Sequence, residues 1–112
     1  KLFSVMRHLL VSFTLLLTCG NVYAEIVPPR KSCEGSQFQL RVCADENLIA
    51  SDAKIREVLP SELAKRWGEV TGEVCEEKWQ IFKEGSIYPM MLLKCNDNLN
   101  RTLLKEFEKY RN

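Results

Sequence analysis

The chain has 112 residues, 28% of them charged, with 16 Lys and Arg against 15 Asp and Glu and a single histidine. A formal net charge of +1 provides no electrostatic footprint for nucleic acid or for an anionic membrane surface. The length allows one domain, close to the size at which a hydrophobic core no longer suffices alone.

Residues 1–24 read as a cleaved secretion signal. Lys1 and Arg7 give a basic start, Leu9 to Leu17 an apolar core, and Val22-Tyr23-Ala24 short side chains at the −3 and −1 positions of a cleavage site. The apolar run is about half of the ~20 residues that cross a bilayer, so no membrane span is expected. Leu16-Leu17-Thr18-Cys19 resembles a lipoprotein box, which would tether the protein by a lipid on Cys19. Thr18 stands where that box favours Gly or Ala, and cleavage after Ala24 is expected instead. Removing 24 residues from 112 leaves 88, with Lys1 and Arg7 lost from the 16 basic residues, for 14 against 15 and a net charge of −1. The sole histidine, His8, leaves with the signal. No His-based catalysis or His-metal site is then available, no glutamate stands out as half of a carboxylate pair, and the chain is expected to be neither an enzyme nor a cofactor binder. The expected home is the bacterial periplasm or the exterior.

Residues 25–35, with Pro28-Pro29, lack helical period and read as an extended N-terminal arm. Residues 36–112 form the domain proper. From about Ser36 to Leu59 there is neither Pro nor Gly, and Phe38, Val42, Ile49 and Ala53 fall on helical spacing. Pro60-Ser61-Glu62 breaks and restarts the chain, with Pro suited to a helix start because its missing N–H costs nothing there. The second stripe is Leu63, Trp67, Val70, Val74 and Ile81, up to a stop at Gly85-Ser86. The third is Leu92, Cys95, Leu99, Leu103, Phe107 and Tyr110. Ser86 suits a cap for this last helix. No segment alternates with period two, so the fold is expected to be all-α, a three-helix antiparallel bundle.

Four cysteines follow the signal: Cys33, Cys43, Cys75 and Cys95, with gaps of 10, 32 and 20 residues. Zinc sites and thioredoxin-like redox sites need close pairs, so two structural disulfides are the expected use. A turn near residues 59–60 sets Cys43 opposite position 76, beside Cys75. A turn near 85–86 sets Cys75 opposite position 96, beside Cys95. Cys43, Cys75 and Cys95 therefore share one level of the bundle, with Cys33 reaching it from the arm. All three connectivities stay open. The preferred one joins Cys33 to Cys75 and Cys43 to Cys95, tying down the arm and locking the first helix to the third.

Set in order, Cys43, the Ser51-Asp52-Ala53-Lys54-Ile55 segment, Trp67 eight residues before Cys75, Gly85-Ser86-Ile87-Tyr88-Pro89-Met90, Cys95 and Arg101 form a pattern. It resembles the LprI-type lysozyme inhibitor N-terminal domain, a family of small exported bacterial helical domains, from Cys33 to about Leu104. The chain departs from that family at Ala64, Thr71 and Glu84, where Gln, Arg and Gly are usual. The resemblance implies an envelope protein that protects peptidoglycan by occluding a lysozyme cleft. The alternative is a non-inhibitory structural or assembly domain of the periplasm.

The candidate partner-binding residues are Gly85, Ser86, Tyr88 and Trp79. The Gly85 to Pro89 loop offers backbone groups and a Tyr to an enzyme cleft, although Gly85 as a helix stop, Ser86 as a cap and Tyr88 packed on the bundle would account for the same residues. Trp67 lies on the apolar stripe and is expected in the core, whereas Trp79 lies off it and is expected to be exposed. Glu69, Glu73, Glu76 and Glu77 form an acidic run on the second helix, suited to a basic partner or simply to solvent. Asn100-Arg101-Thr102 matches a glycosylation sequon but lies mid-helix, where it is expected to carry no modification.

Overall fold

The computed structural model describes residues 26–109. The expected signal, its Cys19 and the last stripe residue, Tyr110, lie outside the described residues. Three helices follow the arm: α1 (Gln37–Val58), α2 (Ser61–Trp79) and α3 (Tyr88–Glu108), with a 3-10 turn at Gln80–Phe82. The architecture is an all-α three-helix bundle stapled by two disulfides.

Local chemistry sets the helix ends. Ser36 caps α1 reciprocally: its Oγ accepts from the Gln39 N–H at 3.2 Å, and its own N–H donates to Gln39 Oε1 at 2.7 Å. Gly35 makes this approach possible. Its φ is +113°, and a Cβ there would sit 2.1 Å from Gln39 Oε1. Leu59 is extended and closes α1 by donating its N–H to the Ile55 carbonyl. Pro60 takes the N-cap of α2, where its carbonyl accepts from the Ala64 N–H. A two-residue link thus reverses the chain. α2 stops at Trp79 rather than running to Gly85. The path then tightens through the 3-10 turn, where the Gly85 N–H meets the Phe82 carbonyl at 2.8 Å. Ser86 does not cap α3; the cap position is Ile87, with Pro89 in the first turn.

α3 is the central helix. Both α1 and α2 pack chiefly on it and touch each other sparsely. Contacts of Ser51 with Asn100 and of Leu40 and Met90 around one cavity show that α1 and α3 run parallel, offset by about 50 residues. α2 runs antiparallel to both, its register fixed by Trp67 with Asn100 and by Cys75 with Cys95. The arm returns along α1 in the opposite sense, Ile26 against the Ile55 and Leu104 cluster, Lys31 beside Asn47 and Cys33 beside Cys43.

Three tiers result. At the α1–α2 turn lies a small apolar core of Ile26, Ile55, Ala64 and Leu104, with Val58, Trp67 and Leu103 against it. The middle tier is polar: Asn47, Ser51, Asp97, Asn100 and Arg101 are all buried. The far tier carries the disulfides. Full burial of one aliphatic side chain contributes about 1.5–3 kcal/mol, so three large buried aliphatics give a thin core. Loops of 10 and 20 residues closed by disulfides add about 3 kcal/mol each on the chain-entropy account.

Two expectations are corrected here. The first is the pairing, which is Cys33–Cys43 and Cys75–Cys95, with Cα separations of 5.7 and 5.8 Å. The common level of Cys43, Cys75 and Cys95 stands. The arm, however, folds back along α1, which brings Cys33 to Cys43 before it can reach α2. The second concerns the stripes. Phe38, Val42 and Ile49 face outward on α1, whose buried residues are Ala44, Asn47, Ser51 and Ile55. On α2 the buried residues are Ala64, Thr71 and Cys75, while Leu63, Val70 and Val74 are exposed, as is Ile81 in the 3-10 turn beyond it. Burial of a polar face is sustained here because its groups bond one another.

Candidate functional site

The polar tier holds the N-terminal arm in place. Arg101, buried, donates from Nε to Asp97 Oδ1 at 2.8 Å, from Nη2 to the Asn47 carbonyl at 3.3 Å, and from Nη1 to the Pro28 carbonyl. Asp97 also meets Arg30 Nε at 3.3 Å through its second oxygen. Asn47 clamps the arm in both senses, accepting from the Lys31 N–H at 2.8 Å and donating to the Lys31 carbonyl at 3.1 Å. A buried ion pair is costly unless every remaining donor finds an acceptor, and the arm backbone supplies one of them. Asn100 and Arg101 of the sequon are thus structural, and their burial leaves no room for a glycan.

The α2–α3 loop is built differently. Cys75 and Cys95 are both buried and, at a sequence separation of 20, close a covalent loop. All four candidate residues, Trp79, Gly85, Ser86 and Tyr88, lie inside it. Gly85 and Ser86 are exposed and Tyr88 is half-buried. Trp79 is half-buried rather than exposed. Its ring packs against Phe82 at 5.8 Å and under the Lys78 ammonium at 5.2 Å, and its Nε1 is enclosed without a partner among the described residues. Trp67, expected in the core, is half-buried against it and bonded to Asn100.

Residues missed in the sequence dominate the loop surface. Ile81 is 83% exposed, with Phe82 and Ile87 also exposed. The α1–α3 register brings Phe38, 75% exposed, to the level of Tyr88 at the same end of the bundle. Ile81 was legible only as a stripe residue of α2, because the early helix stop at Trp79 has no Gly or Pro to signal it. Exposed aliphatic and aromatic residues thus gather at one end of the domain. Glu69, Glu73, Glu76 and Glu77 are all exposed on α2, which leads into this end. Among the described residues, no cluster of three His, Cys, Asp or Glu is placed to hold a metal ion, and no helix is long and apolar enough to cross a membrane. Comparison with family models, with curated proteins and with solved structures finds no match to the chain.

Proposed function

We propose that the protein is an exported binding protein of the bacterial envelope that inhibits a lysozyme by inserting the α2–α3 loop into the enzyme cleft. The observation that carries this reading is the loop itself: Ile81, Phe82 and Ile87 exposed on a segment closed at its base by Cys75–Cys95. A loop held before binding loses less conformational freedom on association, which converts more of its contact energy into affinity. Apolar and aromatic residues that fill a cleft are the usual energetic centre of an interface.

The acidic residues of α2 suit a basic enzyme, raising the encounter rate more than the affinity. Two disulfides in so small a domain suit an oxidising compartment, which fits export. Lysozyme as the partner rests on the resemblance of the ordered cysteines, Trp67 and the Gly85 to Pro89 segment to the LprI-type family. Cell-wall lysis by c-, g- and i-type lysozymes, followed with and without the purified protein, tests this reading. Lysis by at least one type is expected to slow in proportion to added protein. Unchanged lysis by all three at micromolar excess would contradict it.

A further inference from the structure

We propose that the cavity between the arm, α1 and α3 binds a carboxylate carried on an apolar chain. Its volume of about 340 Å³ is in the range of small-molecule sites. The lining divides by chemistry. Leu40, Ala44 and Met90 form an apolar wall, and Arg30, Lys94 and Asp97 face it.

Charge around the cavity does not balance. Asp97 is buried between Arg101 at 2.8 Å and Arg30 at 3.3 Å, so one carboxylate meets two guanidinium groups. Lys31 is already paired with Glu46 at 2.7 Å. Lys94 is exposed at the rim and forms no ion pair among the described residues. An excess of positive charge therefore stands beside an apolar surface. A carboxylate satisfies both parts, with its oxygens toward Lys94 and Arg30 and its chain along Leu40 and Met90. A bare inorganic anion would leave the apolar wall unfilled, and an amine of the same length would meet like charge. None of Ile81, Phe82 and Ile87 lines the cavity, so the site can be tested separately from what the loop binds.

Methyl NMR titration of the oxidised protein with octanoate, octylamine and acetate tests the assignment. Octanoate is expected to shift the methyl signals of Leu40, Ala44 and Met90 saturably, while octylamine and acetate leave them in place. Lys94→Glu, at an exposed position that tolerates exchange, is expected to weaken octanoate binding about tenfold or more, and Lys94→Arg to retain it. A parallel titration with N-acetyl-leucine separates the two sources of this chemistry: tighter binding than octanoate assigns a peptide C-terminus, weaker binding an acyl acid. Equal shifts with octanoate and octylamine, no shift with either acid, or unchanged affinity in Lys94→Glu would overturn the site.

Discussion

The indole N–H of Trp67 donates to Asn100 Oδ1 at 2.8 Å, and the Asn100 amide turns the other way, to Ser51 Oγ at 3.1 Å and Asp52 Oδ1 at 2.7 Å. One side chain thereby joins α2, α3 and α1. Asn100→Leu keeps the number of side-chain heavy atoms and the fork at Cγ and removes every one of these bonds. Leaving a buried donor or acceptor without its partner costs roughly 1–3 kcal/mol, so a loss of about 2–3 kcal/mol is expected. Urea unfolding followed by tryptophan fluorescence reads it, and a loss under about 0.5 kcal/mol would show that the network is not a stabilising centre.

Arg101 has the second such role. Arg101→Met leaves Asp97 with Arg30 alone and the Pro28 carbonyl without its donor. Breaking a buried pair from one side costs about 3–5 kcal/mol. The arm is expected to loosen with it, so trypsin should cut after Arg30 and Lys31 faster than in the parent. Replacing both partners, Asp97→Leu with Arg101→Met, is expected to recover part of the stability. Equal cutting rates in parent and Arg101→Met would separate the arm from the network.

The span of α1 and the break into α2 were legible because the run from Ser36 to Leu59 lacks Pro and Gly and Pro60 acts locally. The stop of α2 at Trp79 and the start of α3 after Ile87 were not. Nor were the inner faces. Periodicity weighs apolar residues, and α1 turns Phe38, Val42 and Ile49 outward while burying Asn47 and Ser51. Those two are buried because Lys31 and Asn100 meet them from the arm and from α3, partners 16 and 49 residues away. Turn geometry placed Cys43, Cys75 and Cys95 at one level, but the pairing followed the path of the arm, which has no periodic signal. For the candidate site, Gly85, Ser86 and Tyr88 lie in the same loop as Ile81 and Phe82, whose exposure was hidden by the unmarked helix stop.

The disulfides give a direct check on the fold. A non-reducing tryptic map is expected to show Cys33 linked to Cys43 and Cys75 to Cys95, with Arg41, Lys78, Lys83 and Lys94 offering cuts between partners. Cys75→Ser with Cys95→Ser is expected to cost about 3 kcal/mol and to lower partner affinity further by freeing the loop. A linkage of Cys33 to Cys75 would overturn the arm's path along α1.

The loop surface is expected to be separable from stability. Ile81→Ser and Phe38→Ser change exposed side chains, for which stability shifts are usually within about 0.5 kcal/mol. Thermal melts of both should overlay the parent. An Ile81→Ser protein that unfolds appreciably earlier would mean that this residue packs rather than binds.

Lysozyme inhibition measured side by side for the parent and Ile81→Ser, at matched concentrations and with matched melts, tests the central claim most directly. The account predicts that the parent slows lysis by at least one lysozyme type and that Ile81→Ser needs at least about tenfold more protein for the same effect, the size expected for a binding hot spot. Equal potency of the two proteins, or no inhibition by the parent of any type, would contradict it.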